Sequence, residues 1–471
     1  MAHSLSESAP VPAGSFQHDF SGTKFSILSD ASGITQQYAR SGHSGRYSVA
    51  FVIGSGKHAY GFLVRISGHL FQSPLSYYSK AGIWDVAPGY EKTSNPDFAR
   101  PVTLECLLCH SGSPRILPGT LNTYAPVPFL EESISCDRCH GPVESHLKNP
   151  ARATIVNPLR LTGAARDSVC EQCHLTGEIR IPNPGKTFAD FRPGQRIEEA
   201  YTIYVSHASE NGQVKVVSHS EQLALSACAR NSGGNLWCGT CHNPHDTTPQ
   251  TAAFFRSRCL TCHGASLETS HAAPGRDCVA CHMPRLPARD GGHTAFTDHR
   301  IRRRPTDPAP AGPAGLVAWR EPGPDLRDRN LALALVAWAY VNQSQADMTR
   351  GYQMITSVER QFPGDLDVLT SLGSVQLHIH QPAEALRRFE KVLSLRPDSA
   401  AYHVNAASAL IQLGNDSEAI RHLARALVLD PLFQPAVVTL SSLYRRQGQL
   451  AQAADVSLRY QRAMSTSDPS H

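Results

Sequence analysis

The sequence contains no continuous run of about 18 or more apolar residues, the length that a helix needs to cross a bilayer. Its net charge of +4 is small for 471 residues, and no lysine- or arginine-rich tract alternates with aromatic residues. These absences argue against a transmembrane helix and against a basic nucleic-acid groove. The length predicts about three domains, and the charge indicates no particular partner.

Cysteine and histidine are instead concentrated in one pattern, C-x-x-C-H. A shuffled chain with 13 Cys and 23 His would contain roughly 0.02 copies of this pattern, which is the attachment signature of c-type haem. The repetition is therefore not due to chance. The six copies begin at Cys106, Cys136, Cys170, Cys238, Cys259 and Cys278.

Each position of the pattern has a chemical reason. Two thiols add to the two vinyl groups of one haem, and the histidine that follows binds the iron from the proximal side. The pattern therefore predicts six covalent haem c groups. The predicted attachment residues are Cys106, Cys109, Cys136, Cys139, Cys170, Cys173, Cys238, Cys241, Cys259, Cys262, Cys278 and Cys281. The predicted proximal ligands are His110, His140, His174, His242, His263 and His282.

Two other interpretations of paired cysteines explain the pattern less well. A zinc site would need two such pairs for each metal ion, or one pair and two further ligands, and would not require a histidine after every pair. A thioredoxin-like redox motif normally occurs once, near a βαβ pattern. Zinc remains the main alternative to haem.

One cysteine lies outside the six motifs. Cys228, in "SACARNSGGNLWC", has no obvious thiol partner in the sequence. Its side chain is interpreted first as a small, partly apolar packing residue. The alternative is a reactive thiol or a ligand beside the haem of Cys238.

A second axial ligand to each iron must come from outside the motifs, and histidine or methionine usually provides it. His245 follows His242 by three residues, too near in the chain to reach the opposite face of the same porphyrin, so we expect it to bind a neighbouring haem. The same reasoning applies to His146 and His271, which also lie near motifs. The Gly-rich turn of "IGSGKH" presents a further candidate, His58. The distal candidates are His58, His146, His219, His245, His271 and His299.

The predicted fold class is α+β, with four regions along the chain. Residues 1–95 are strand-rich, because short aromatic or β-branched runs alternate with Gly, Ser and Pro clusters. Residues 96–304 contain all six motifs and little periodic hydrophobicity, so short helices and loops are expected to pack around the cofactors. Residues 305–325 form a proline-rich linker, and residues 326–465 form a helical repeat.

The repeat has a period of 34 residues. Pro363, Pro397 and Pro431 keep this spacing. Ala385, Ala419 and Ala453 keep it too, and Gly373 and Ala407 are also 34 residues apart. Small residues where two helices touch, with proline after the second helix, are the tetratricopeptide signature. Roughly three and a half repeats fit into this region, and we expect them to fold as a separable helical array.

The whole chain resembles exported multihaem c-type cytochromes fused to tetratricopeptide repeats, related to the cytochrome c-552/c-554 group. The resemblance lies in the six motifs and in segments such as "VIGSGKH", "SYYSKAGIWDVAPGY", "LWCGTCHNPH" and "HTAFTDHRIRRRP". It also favours His58, His219 and His299 as distal ligands. It implies an architecture and a cofactor more than a substrate.

The resemblance further implies a periplasmic or otherwise exported protein, because bacterial haem attachment of this type takes place outside the cytoplasmic membrane. The first residues, "MAHSLSESAPVPAGSF", contain neither a basic n-region nor an apolar h-region. Longer members of the family carry a further C-x-x-C-H before a similar stretch. We therefore expect the natural gene product to start upstream of Met1, with a signal peptide and one additional haem.

The expected function is electron transfer through closely packed haems, with the repeats binding a redox partner protein. The alternative is a multihaem oxidoreductase acting on a small nitrogen or sulfur compound at an iron with an open position. The chain lacks the C-x-x-C-K variant used by nitrite reductases, yet relatives of this haem arrangement include enzymes. A third interpretation, a haem sensor with the repeats as the effector, has no support in the sequence.

Overall fold

The computed structural model describes residues 5–6, 9–151, 155–206, 213–246, 250–270, 277–304 and 315–465. Within these ranges the chain begins as an antiparallel sheet, continues through short helices and small sheets, and ends in paired helices. The α+β class predicted from the sequence is confirmed at this level. None of the described helices is both long and apolar enough to cross a membrane.

Nine strands form one antiparallel sheet at the N-terminus. They are β1 (Leu5–Ser6), β2 (Gly14–His18), β3 (Thr23–Asp30), β4 (Gly33–Arg40), β5 (His43–Ile53), β6 (Tyr60–Ile66), β7 (His69–Tyr78), β8 (Ile83–Val86) and β9 (Arg100–Pro101). Strands β2 to β8 pair in sequence order, while β1 pairs with β5 and β9 with β7. Burial alternates along β3, where Phe25 and Ile27 face a core that also contains Val52, Phe62 and Leu75. This alternation confirms the predicted strand-rich region.

Most of the helices in the middle region are short. They are α1 (Leu104–Leu108), α2 (Asp137–His140), α3 (Glu144–Lys148), α4 (Gly163–His174), α5 (His219–Ala224), α6 (Ala227–Asn231), α7 (Cys238–Cys241), α8 (Ala252–Ser270) and α9 (Cys278–His282). Helix α8 is kinked at Gly264, whose φ of 68° is not helical. Three 3-10 turns also occur, at Pro158–Arg160, Phe188–Asp190 and Ile197–Glu199.

Three small sheets accompany these helices. Strands β10 (Gly112–Ile116) and β11 (Tyr124–Glu131) form a hairpin, as do β14 (Arg285–Pro287) and β15 (Ala295–Thr297). Strands β12 (Ile179–Pro182), β13 (Tyr201–Val205) and β16 (Val317–Ala318) form a three-stranded sheet with β13 in the centre. This last sheet joins the middle region to the C-terminal helices.

The C-terminal region is a series of antiparallel helical hairpins. Its helices are α10 (Pro324–Asn342), α11 (Gln345–Val358), α12 (Leu366–His378), α13 (Pro382–Leu395), α14 (Ala400–Gln412), α15 (Asp416–Leu429), α16 (Gln434–Arg446) and α17 (Leu450–Met464). Small buried residues let paired helices approach closely: a Cβ on Gly373 would lie 2.6 Å from the Phe389 ring. These eight helices make four hairpins, where the sequence predicts about three and a half repeats.

The predicted linker differs from the structure at its C-terminal end. Residues 305–314 lie outside the described ranges. The remainder is packed on the body, because β16 pairs with β13 through Tyr204 and Ala318. Helix α10 then begins at Pro324, two residues earlier than expected, since proline is well suited to the first turn of a helix.

The helical array packs against the rest of the chain through its first helix, through turns between later hairpins and through its C-terminal end. Asp430 bonds the His69 ring at 2.9 Å, and the Met464 carbonyl accepts a 2.6 Å hydrogen bond from the Tyr47 hydroxyl. A Cβ on Gly119 would lie 3.0 Å from the Asp398 carbonyl oxygen. The array predicted to be separable therefore shares buried contacts with the N-terminal half.

Candidate functional site

The six C-x-x-C-H motifs lie on helices or at their ends. Residues three and four apart share one face of a helix, so both thiols and the histidine can face the same side where the helix includes the whole motif, as α4, α8 and α9 do. All thirteen cysteines are free thiols, and those of the motifs are half-buried or exposed. The thiols are therefore accessible to a ligand that lies against the helix.

The regions that carry the second to sixth motifs have very little side-chain core, whereas the first motif contains the buried Leu107 and Leu108. Among the described residues between 132 and 174, the buried apolar side chains are those of Ala165 and Val169. Between 206 and 304 they are those of Val214 and Ala288. Helices that do not bury apolar side chains against each other need another source of apolar contact. A large apolar cofactor at each of these five motifs fits this arrangement.

Hydrogen bonds orient two of the motif histidines. His140 donates from Nδ1 to the Val156 carbonyl at 2.7 Å, and His282 donates from Nδ1 to the Arg302 carbonyl at 2.7 Å. A carbonyl oxygen only accepts, so Nδ1 carries the proton and Nε2 keeps its lone pair. Metal-binding histidines are commonly held in this way. Both rings are therefore prepared to ligate a metal through Nε2.

Three motif histidines lie beside histidines from other parts of the chain. The ring centres of His140 and His245 are 5.8 Å apart. His174 and His219 are 5.4 Å apart, and His242 and His299 are 6.3 Å apart. Two imidazoles that bind one metal ion at about 2 Å each place their ring centres about 6 Å apart. The spacing of each pair would allow its two rings to bind one metal ion between them.

The histidines of two of these pairs, His174 with His219 and His242 with His299, have lowered pKa values. Burial lowers the pKa of His174, His242 and His299. For His219, burial and neighbouring imidazoles lower the pKa to about 3, and its buried Nδ1 has no hydrogen-bond partner in the part of the chain that the structure describes. A metal binds the neutral form of imidazole, so these surroundings favour ligation.

Two of the paired histidines also contact each other. The ring centre of His219 lies 4.9 Å from that of His299 and 6.4 Å from that of Phe296. His58 stacks on Phe296 at 4.7 Å, and its buried Nδ1 has no hydrogen-bond partner among the described residues. Phe296 thus contacts two distal candidates, a role that no signal in the sequence indicates.

The remaining predicted site residues are more scattered. His110 follows α1, His146 lies on α3, and His263 is exposed on α8. His271 lies outside the described residues. The structure therefore brings His219, His245 and His299 beside motif histidines and places His58 against Phe296.

Thiol contacts show which motifs are neighbours. The thiol of Cys109 lies beside that of Cys173, and the thiol of Cys170 lies beside that of Cys238. A third contact joins Cys259 to Cys278. The first, third and fourth motifs are therefore adjacent, as are the fifth and sixth.

Cys228 is half-buried on α6, and burial raises the pKa of its thiol. A raised pKa reduces the fraction of reactive thiolate. The surroundings of Cys228 are thus those of a packing residue more than of a nucleophile.

Donors in the described part of the chain come in pairs: no three His, Cys, Asp or Glu side chains there converge as ligands of a metal ion. A porphyrin supplies four nitrogen ligands and leaves two axial positions. The donor set of His140 with His245, His174 with His219, and His242 with His299 matches that requirement.

Comparison with known proteins identifies the repeat. Residues 376–440 match the tetratricopeptide repeat family. The chain is 34% identical over 89 residues to the TPR repeat-containing thioredoxin TTL4 of Arabidopsis thaliana, covering 19% of this chain and 13% of that protein. The predicted tetratricopeptide repeat is confirmed.

The chain is also similar to a cytochrome. It is 24% identical over 175 residues to the multiheme cytochrome MtrA of Shewanella baltica (strain OS185), covering 34% of this chain and 51% of MtrA. The chain thus spans about half, or much less, of the curated relatives it matches. Among solved structures, a crystal structure of MamA matches with a TM-score of 0.24 and 21% identity, covering 26% of this chain and 71% of MamA.

Proposed function

We propose that the protein is a periplasmic multihaem c-type cytochrome that transfers electrons, and that its tetratricopeptide repeats bind a protein partner. The observation that carries the proposal is the pairing of three motif histidines with His245, His219 and His299 at 5.4–6.3 Å. An iron bound on both sides by histidine has no open position for a substrate. Haem, when bound, supplies a one-electron couple.

The chain's own residues have three tasks in this proposal. The motif cysteines hold the cofactor covalently, so that it remains on an exported protein. The Val156 and Arg302 carbonyls fix the tautomers of His140 and His282. Burial lowers the pKa of His174, His219, His242 and His299, which favours the neutral form that binds a metal.

The adjacency of motifs supports conduction over catalysis. Cys109 lies beside Cys173, and Cys170 lies beside Cys238, so three of the predicted attachment sites are neighbours. Cofactors attached there would lie close to one another, as electron transfer requires. The similarity to a protein named as a multihaem cytochrome agrees with this assignment.

The repeats supply the second part of the proposal. Stacked helix pairs form an extended concave surface on which tetratricopeptide proteins bind other proteins. We infer that this surface binds the redox partner while the turns between the hairpins hold the array against the cytochrome region.

His245→Ala tests the proposal. His245 is the partner of His140, so its loss opens one iron: a high-spin signal equivalent to one haem is expected in magnetic resonance, with carbon monoxide binding at that haem. His43→Ala is the matched control, because His43 is exposed at the start of β5. It should leave the spectrum unchanged.

Two outcomes would contradict the assignment. A stoichiometric high-spin haem in the unaltered protein would favour an oxidoreductase with an open iron. A spectrum of His245→Ala identical to that of His43→Ala would remove His245 from the ligands.

A further inference from the structure

Glu171 is a buried acid inside the third motif. It lies on α4 between Cys170 and Cys173, and its side chain is 3% exposed. Its carboxylate accepts hydrogen bonds from both terminal nitrogens of Arg320, at 2.5 and 2.6 Å, and from Trp319 Nε1 at 3.1 Å. A charged group so close to a haem attachment site is unusual unless it is compensated.

The compensation is a small, balanced network of charges. Arg320 Nη1 also lies 3.9 Å from Glu198 Oε2, and Arg196 Nε lies 2.9 Å from Glu198 Oε1. Two carboxylates thus face two guanidinium groups. Burial raises the pKa of Glu171, and the bidentate Arg320 opposes that rise. Burial has the larger effect on the pKa, and the ion pair with Arg320 favours the charged form of this carboxyl.

Arg320 and Trp319 come from the segment that leads into the helical array. The Trp319 amide donates to the Ile203 carbonyl at 2.8 Å, which extends the pairing of β16 with β13. Four residues after Arg320, α10 begins at Pro324. The third motif and the first helix of the array are thus attached to the same three-stranded sheet.

Helix α10 is fixed to this sheet by buried polar contacts. Arg329 Nη1 donates to the Pro182 carbonyl at 2.7 Å, and Asn330 Nδ2 donates to Thr202 Oγ1 at 2.9 Å. Ile181 and Tyr204 share a core with α10, α11 and α12. Side chains in direct contact therefore connect the array to Glu171.

We propose that Arg320 and Trp319 are positioning residues of the third motif, and that Arg320, by balancing Glu171, sets the reduction potential of the haem held there. The proposal rests on the proposed function, since it requires a haem at Cys170 and Cys173. A charge in a poorly solvated site acts strongly on its neighbours. Charges and hydrogen bonds around a haem are among the means by which a protein tunes its potential.

Glu171→Gln is the principal test. It removes the negative charge with little change in shape and leaves Arg320, which stays protonated at all accessible pH values. The excess positive charge favours the reduced iron. In a spectroelectrochemical titration of the haem-loaded full chain, one one-electron component should move to a more positive potential while the others stay in place.

Two further variants separate charge from structure. Glu171→Gln combined with Arg320→Gln removes both charges and should return that component towards its original potential. Glu384→Gln is the matched control, because Glu384 also pairs with an arginine but on the exposed surface of α13. It should shift no component.

Trp319→Phe provides an independent test with the opposite sign. It removes one hydrogen-bond donor from the Glu171 carboxylate, so less of the negative charge of that carboxylate is offset. The same component should therefore move to a more negative potential. The proposal is overturned if Glu171→Gln retains its haems and titrates like the unaltered protein, or if Trp319→Phe leaves every component in place. Absence of haem from all motifs of the unaltered protein would instead contradict the proposed function.

Discussion

Arg329 should be the residue on which docking of the helical array depends most. Its guanidinium is fully buried on α10 and donates five hydrogen bonds. Nε and Nη2 bind Asp365 at 2.7 and 3.1 Å, and Nη2 binds Asp367 at 2.9 Å. Nη1 binds the Pro182 carbonyl at 2.7 Å and Asn330 at 2.6 Å. One side chain thus joins the first two hairpins of the array to β12.

Arg329→Met keeps most of the volume and removes every donor. Asp365, 5% exposed, then loses its charged partner, and breaking a buried ion pair in this way costs about 3–5 kcal/mol. Asp365 still caps α12 by accepting from the Asp367 and Val368 amides at 3.0 and 3.1 Å. We therefore expect the free energy of unfolding to fall by about 3 kcal/mol, near the lower end of that range.

Urea unfolding followed by far-ultraviolet circular dichroism measures this loss, because the helices dominate that signal. With a denaturant dependence of about 1–3 kcal/mol per molar urea, the midpoint of the array should fall by about 1–3 M. Arg327→Met is the control on the same helix: Arg327 is 58% exposed and pairs with Glu321, which is 61% exposed. An exposed pair contributes less than about 1 kcal/mol. Equal midpoints for the two variants would refute the reasoning.

Two further predictions concern the same array. Burial lowers the pKa of His69, but the hydrogen bond and the charge of Asp430 outweigh burial and raise this pKa. The ion pair therefore contributes its full stabilisation below about pH 6.5, and the contribution is lost as the pH rises through the pKa of His69 in the folded protein. Asp430→Asn should thus destabilise more at about pH 6 than at about pH 9 in urea unfolding, and an equal loss at both would contradict the ion pair. Gly373→Ala would place a Cβ 2.6 Å from the Phe389 ring and should cost about 1–3 kcal/mol. Gly364→Ala, whose Cβ would meet nothing within 4 Å, should have a negligible effect on the urea midpoint, and equal midpoints for the two glycine variants would exclude a tight helix contact at Gly373.

Local patterns in the sequence identified the six motifs and predicted the N-terminal strands and the helical repeats. The C-x-x-C-H spacing acts within one turn of helix, and the 34-residue period reflects contacts within each hairpin. The first hairpin is harder to recognise because Arg329 stands where later repeats have proline. Ala339 and Gly351 nevertheless keep the small-residue positions of Gly373 and Ala385.

Contacts between segments that are distant in the chain could not be predicted from the sequence. Sequence reasoning expected His245 to approach another motif, but the position of His140 depends on how α2 and the segment after α7 meet. Phe296 and Arg320 carry no local signature of their roles beside His58 and Glu171. Such pairings depend on the packing of several elements, and no spacing in the chain encodes them.

The central claim is that the six motifs hold covalent haem. The mass of the intact protein, produced with export in a host that matures c-type cytochromes, tests it most directly. Our account predicts the polypeptide mass plus six haem additions that survive denaturation and stain for haem peroxidase activity on a gel. A bare polypeptide mass, or zinc that a chelator removes, would contradict it.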